Sequence, residues 1–477
     1  MNAVNREILR LAIPSIVTNV TVPLLGWVDL MIAGHAPSLA PHPSSLIPSG
    51  GTGGGLEGAA EFIGAVTLGS MVFNVMYWLF GFLRMSTSGL TAQAFGARDS
   101  QRASQLLRQS LLVGGVVSLT LLLLQEPVRQ AMFLLMRPSP EVAPMLSAYF
   151  HICIWGAPAV LAVYSMTGWF IGMQDTRSPM IVSISQNVIN ILCSLFFVVV
   201  MRMRIEGIAL GTLIAQWSGL ALAVWLKAKA PGLTQPLQKD GREKNPGETE
   251  SSSLMVSVFI FLRTICLVAV NLWFVAAGSR QGDDILAANA LLMTFFTLFS
   301  YVLDGFAYAG EALSGRFYGA ADRESLRRVV SRLYQWGLLM AALFTLVYLL
   351  AGQPLLRLFT GEAEVLQTAA RYLPWAVLIP IAGFAAFIAD GVCIGTTHTR
   401  LMFRATALAT LVFFAVAQLP ALFPSLSPPV EAGGGLRLPF GVRLGGGFNH
   451  FLWLALILYL LLRSIVLTTL WMRKNHK

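Results

Sequence analysis

Charge is what this chain is short of. Only 12% of its 477 residues are Asp, Glu, Lys or Arg while 56% are hydrophobic, and soluble proteins carry about 25% charge. That balance excludes an ordinary soluble enzyme. Cysteine is scarce as well: Cys153, Cys193, Cys266 and Cys393 all fall in apolar runs without paired loop spacing. They read as small packing residues rather than disulfides or metal ligands. The six histidines form no HExxH or other ligand cluster, so no metal site and no resident cofactor are expected. There is no GxSxG on a plausible span and no Walker motif, which argues against a membrane hydrolase and against direct coupling to ATP. No cleavable signal peptide is expected either, since MNAVNREILRLAIP leads straight into the first span.

What the chain has in abundance is long apolar runs. Twelve stand out: 8–34, 59–90, 105–125, 142–172, 178–201, 206–227, 254–278, 284–315, 330–352, 367–396, 401–424 and 449–472. Each is long enough to cross a bilayer as a helix at about 1.5 Å per residue. The expected fold is therefore an all-α membrane protein with twelve transmembrane helices in two pseudo-symmetric six-helix bundles. QEPVRQAMFLLMRPSP, around 125–140, reads as an interfacial turn of helix. With both termini inside, Lys and Arg favour the inner segments roughly two to one, the asymmetry the positive-inside rule demands. The +10 net charge is thus a matter of topology, and no nucleic-acid partner is inferred. The expected location is the inner (plasma) membrane, with both termini cytoplasmic.

The polar stretch KAKAPGLTQPLQKDGREKNPGETESSS (227–253) has linker composition. It divides the chain into an N-terminal lobe (1–228), a cytoplasmic linker (229–253) and a C-terminal lobe (254–477). The glycine-rich segments after the first span and before the last read as flexible outer loops. The lobes look duplicated. GLTAQAFGARDSQRASQLL resembles EALSGRFYGAADRESLRRVV, and GWFIGMQDTRSPM (168–180) resembles GVCIGTTHTRLMF (391–403). Both pairs share one offset of 223 residues, Gly96 to Gly319 and Gly168 to Gly391. Two lobes of even span number insert in the same sense, with a cavity expected between them, as in alternating-access carriers.

Ionisable residues within spans carry the functional argument, because each costs roughly 3 kcal/mol or more unless paired, hydrated or neutralised. Asp29 lies late in the first span, behind Pro14 and Pro23. Pro23 frees a carbonyl near Asn19 and permits a bend. Asp29 reads either as a proton carrier on a shape-changing helix or as a polar end-group at the outer interface. Arg84, Arg263, Asp304, Glu311, Asp390 and Arg463 are the other charges. Arg263 and Asp304 lie at similar depth, so they are expected to pair. Glu311 and Asp390 are expected nearer the hydrated inner surface, and Arg84 to face the cavity or an acid of the other lobe. Gln186, Asn187, Asn190, Ser194 and Thr212 add polar groups in the fifth and sixth spans. Asn190 and Ser194 share a helix face; they either brace neighbouring helices or help to bind a cation beside Asp29.

FGFLRMSTSGLTAQAFGARD (80–99), GWFIGMQDTRSPM (168–180) and LDGFAYAGEALSG (303–315) resemble the multidrug and toxic compound extrusion (MATE) transporters, most closely their DinF-like branch. The resemblance covers essentially the whole chain. It implies a two-lobe antiporter that exports organic, often cationic or amphipathic compounds in exchange for H⁺ or Na⁺. It places the coupling acid on Asp29, with Asn190 and Thr212 at supporting positions. One departure stands out, because Ser194 occupies a position where related members carry Asp. A Na⁺ site needs oxygen ligands with enough charge to replace hydration, so a single carboxylate favours H⁺. The rival readings are a Na⁺-coupled exporter and a lipid-linked precursor flippase of the same superfamily, which would need more cavity cations than Arg84, Arg263 and Arg463. A monomer suffices, since the cavity is intramolecular.

Overall fold

In the computed structural model, residues 3–39, 57–229, 246–422, 436–437, 443–444 and 448–475 are described. Side chains are described for 3–21, 62–134, 136–229, 253–419 and 448–474. The described residues are almost wholly helical. Its elements run α1 (Ala3–Leu39), α2 (Glu57–Leu79), α3 (Phe82–Gly96), α4 (Ser100–Leu123), α5 (Gln125–Met136), α6 (Val142–Cys153), α7 (Ala157–Gly172), α8 (Arg177–Leu195) and α9 (Ile205–Ala228). The second half follows with α10 (Pro246–Ser279), α11 (Asp283–Gly319), α12 (Arg323–Phe359), α13 (Ala363–Gly395), α14 (Thr399–Leu422) and α15 (Phe448–Asn475). A two-residue antiparallel pairing of β1 (Leu436–Arg437) with β2 (Arg443–Leu444) falls in the segment read as a flexible outer loop.

Among the described residues, eleven helical stretches are long and apolar enough to span a membrane. The 37-residue α1 completes the twelve. Two expectations need adjustment. QEPVRQAMFLLM forms a separate helix, α5, with Arg137 in the left-handed region closing its end. Helix α10 begins at Pro246, inside the stretch read as linker; proline is well suited to a first helical turn, where its missing N–H costs nothing.

The helices gather into two compact units. One is Val17–Arg242; the other is Glu243–Lys477 together with Met1–Ile16. The first sixteen residues pack with the C-terminal helices: a Cβ on Gly305 would meet Ile16 at 2.3 Å, and Arg316 bonds to Glu7 at 3.2 Å. Helix α1 therefore belongs partly to each unit.

Inside each unit the same crossing recurs at the 223-residue offset. In the first, a Cβ on Gly168 of α7 would stand 2.2 Å from the Arg84 carbonyl of α3; in the second, a Cβ on Gly391 of α13 would stand 2.3 Å from the Ala307 carbonyl of α11. One turn later, Gly172 faces Ser88 and Thr91 as Gly395 faces Glu311 and Ser314. Only glycine lets two backbones approach so closely, and such small-residue crossings are how membrane helices pack. The corners match too. Arg98 and Ala321 take positive φ (55° and 57°), as do Gln174 and Thr397 (65° and 54°). Asp99 and Asp322 then cap the next helices by accepting from Arg102 N and Ser325 N.

Candidate functional site

In the first unit the polar residues of α8 and α9 meet. Asn190 donates from Nδ2 to Thr212 Oγ1 at 3.0 Å, and Thr212 donates to the Ile208 carbonyl at 3.1 Å. Ser194 lies one turn beyond Asn190. A Cβ on Gly211 would come within 2.4 Å of its Oγ, so a glycine is what brings α9 onto this face. Asn190 and Ser194 are buried. Among the described residues, Asn190 Oδ1 and Ser194 Oγ have no hydrogen-bond partner. Two buried oxygens with spare lone pairs are an acceptor set waiting for a donor or a cation. Asn187, one turn before Ile191 on the same helix, donates to the Thr21 carbonyl of α1 at 3.1 Å. The cluster is thereby tied to the helix that bears Asp29. Asp29 and Pro23 lie on α1, and their side chains fall outside the described residues.

A second polar feature of this unit is a run of hydroxyls. Ser110 donates to Ser165 Oγ at 2.8 Å, Ser165 donates to the Leu161 carbonyl at 3.1 Å, and the Thr87 hydroxyl lies 2.7 Å from Ser110. These bonds stitch α3, α4 and α7 together.

The second unit is different in kind. Asp390 of α13 accepts on one oxygen, Oδ2, from both Arg263 of α10 and Arg463 of α15. All three side chains are buried. This corrects two expectations. The acid that meets Arg263 is Asp390, 127 positions away, rather than Asp304. Depth along a span does not fix which way a helix face turns. Asp390 and Glu311 are also not at a hydrated surface: their residues are 5% and 1% exposed. Two guanidiniums and one carboxylate leave the cluster one positive charge in excess. Asp390 Oδ1 and the Nε atoms of Arg263 and Arg463 are buried without partners among the described residues. Arg84 is buried on α3, and Asp304 is half-buried on α11.

Several buried polar contacts carried no signal in the sequence. Asn289 and Asn449 exchange amide hydrogen bonds at 2.8 and 3.0 Å, and Trp453 Nε1 donates to Asn289 Oδ1 at 2.9 Å. Trp375 Nε1 donates to His450 Nδ1 at 3.0 Å. An isolated Asn or His in an apolar run announces some partner but not which one. Among the described residues no group of three His, Cys, Asp or Glu side chains could hold a metal ion.

The MatE family model matches residues 54–196 and 260–419, one stretch in each half. The chain belongs to the MatE family. It is 32% identical to the DNA damage-inducible protein F of Escherichia coli over 472 residues, covering 98% of this chain and 92% of that one. Against the human multidrug and toxin extrusion protein 1 it is 22% identical over 407 residues, 83% of this chain and 65% of the relative. In fold it is similar to a MATE transporter crystallised in a bent conformation, with TM-score 0.77 at 17% identity, covering 100% of this chain and 96% of that one. A MOP superfamily transporter from Pyrococcus furiosus gives TM-score 0.76 at 17% identity, with the same coverage. The chain is a multi-pass membrane transporter of the MATE type and not an enzyme.

Proposed function

We propose that this MATE protein is a proton-coupled antiporter that exports bulky, often cationic or amphipathic organic compounds, and that Asp29 is the acid that loads and releases the proton. The observation that carries this reading is the Asn190–Thr212–Ser194 cluster, whose buried Asn190 Oδ1 and Ser194 Oγ have no partner among the described residues, joined through Asn187 to α1. A protonated carboxyl is a donor such oxygens could accept. Asp390 is poorly suited to the task, because neutralising it would leave two buried guanidiniums without their counter-charge. Transport would proceed by alternating access, with α1 bending at Pro23 as Asp29 changes charge. Arg84, Asp304 and Glu311 are assigned to the polar part of the substrate path. The protein would work as a monomer in the inner membrane, with both termini in the cytoplasm, as the distribution of Lys and Arg favours.

Na⁺ is the second reading, favoured by the same two oxygens, unpartnered among the described residues, which could ligate a cation beside a single carboxylate. The decisive experiment is efflux of a fluorescent organic cation from proteoliposomes under an imposed ΔpH or an imposed Na⁺ gradient. Wild type should respond to ΔpH alone, and Asp29→Asn should be inactive yet folded. Undiminished export by that variant would overturn the role of Asp29. A strict Na⁺ requirement would overturn proton coupling. Absence of gradient-driven efflux in wild type would favour the flippase.

A further inference from the structure

Helix α12 presents a stripe that changes character along its length. Arg327, Ser331, Gln335 and Leu338 are spaced so that they share one face and run about 16 Å along the axis at 1.5 Å per residue. All four line a cavity of about 520 Å³, within the range of small-molecule sites. Its far wall is α15, through Trp471 and Met472, and its floor is Phe384 of α13. Midway, Tyr334 and Thr468 join the walls by a hydrogen bond of 2.9 Å. One end is therefore cationic, the middle carries hydroxyl and amide groups, and the depth is hydrocarbon.

The surroundings say what such a groove faces. Of the membrane-spanning stretches among the described residues, the one formed by α12 has the smallest buried share, 17%. Leu338 and Met472 are exposed, which in a membrane means exposed to lipid. The charged end is rich in cations. Arg323 and Arg332 flank Arg327 on α12, while Arg473 and Lys474 end α15. Of the acids at that end, Glu324 pairs with Arg328 and Asp322 caps the helix by accepting from Ser325 N. Basic pockets between helix ends are where anionic lipid headgroups bind, and a tryptophan at the same level suits the headgroup zone.

We propose that this groove seats an anionic phospholipid, with the phosphate held at Arg327 and Ser331 and an acyl chain lying along Leu338, Phe384 and Met472. The site lies wholly within the C-terminal unit and is separate from the Asn190 cluster. Its occupancy does not depend on which ion drives transport.

The test is native mass spectrometry of the full-length protein, titrated with phosphatidylglycerol or phosphatidylcholine of the same acyl composition. Wild type should retain phosphatidylglycerol about fivefold better, the ratio that one arginine near an anionic surface supplies. Arg327→Gln should erase that preference. Leu338→Trp, which fills the apolar depth from a lipid-exposed position, should lower retention of both lipids. Equal retention of the two lipids by wild type, or a preference untouched by both variants, would overturn the proposal. Displacement of phosphatidylglycerol by inorganic phosphate would mean that the groove recognises the free anion, and displacement by an exported organic cation would mean a cargo path. Either result would also overturn it.

Discussion

The two halves of the molecule share a frame and differ in what they hang on it. At the 223-residue offset, Gly168 and Gly391 cross a carbonyl at nearly the same distance. The corners repeat the same positive φ angles, and the caps repeat the same Asp. Yet the polar residues fall on different positions of that frame. Asn190 and Ser194 correspond to Phe413 and Ala417, and Asp390 corresponds to Thr167. Thr87, Ser110 and Ser165 correspond to Gly310, Leu333 and Ile388, and a Cβ on Gly310 would meet Leu333 at 3.6 Å, just where the hydroxyls touch in the first half. Backbone contacts are preserved because nothing but glycine fits a crossing that tight. Side-chain chemistry is free to diverge, and it has done so into a neutral acceptor cluster on one side and a charged triad on the other.

The largest effect expected from breaking this asymmetry is at the triad. Asp390→Asn leaves two buried guanidiniums without a counter-charge, which should destabilise the protein by about 3–5 kcal/mol. At the corresponding position, Thr167→Val should cost within about 0.5 kcal/mol, as substitutions away from buried networks do. Thermal unfolding in detergent measures both. Equal effects would mean that the charged cluster contributes no more to its half than a threonine does.

The shared frame predicts the opposite result, that matched substitutions act alike. Gly168→Ala and Gly391→Ala each push a methyl into a carbonyl on a partner helix. Each should cost about 1–3 kcal/mol by overpacking. Tolerance of one and not the other would show that the two crossings are not equivalent in solution.

A smaller structural effect with a large functional one is expected at the acceptor cluster. Asn190→Leu loses one hydrogen bond, worth about 1 kcal/mol, but also removes a buried oxygen that has no partner among the described residues. The fold should barely respond, while ion-driven export should fall most of the way to background. Full export by this variant would make Asn190 a helix brace. The same chemistry at the matched site of the second half, Phe413→Asn, would bury an amide in an apolar environment and should harm stability rather than coupling.

How far all this could be read beforehand follows from what each feature depends on. Spans are legible because their signal is local: a run of apolar residues long enough for the bilayer is sufficient. The duplication was legible because a motif repeated at one offset matches two positions at once; that its glycines are tight helix crossings came only with the packing. Pairing was not legible. Depth matches Arg263 to Asp304 and sets Asp390 nearer the inner surface, yet the partner is Asp390, because depth does not say which way a helix face turns. The Asn289–Asn449 exchange was hidden for the same reason. Helix α10 reaches back to Pro246, and PGETESSSL, with its Pro, Gly, Thr and Ser, carries no helix propensity that would have announced it.

The smallest effect distinguishes the two corners that follow the matched turns at Gln174 and Thr397. In the first, Asp175 accepts from Arg177 N and Ser178 N. In the second, the same position is His398, whose Nδ1 lies 2.9 Å from Thr396 Oγ1 and whose ring meets the edge of Tyr318. Burial, reinforced by the charge of Lys474, pushes the His398 imidazole down to about 4. An unfolded chain takes up that proton near pH 6.5, at about the reference value. Between the two values the unfolded state binds the extra proton, so stability is constant above about pH 6.5 and falls as pH drops toward 4. His398→Asn should remove this part of the slope, read as the difference between wild-type and variant melts across that range. A difference that is flat with pH would place the imidazole in water, and the second corner would then be no more acid-sensitive than the first.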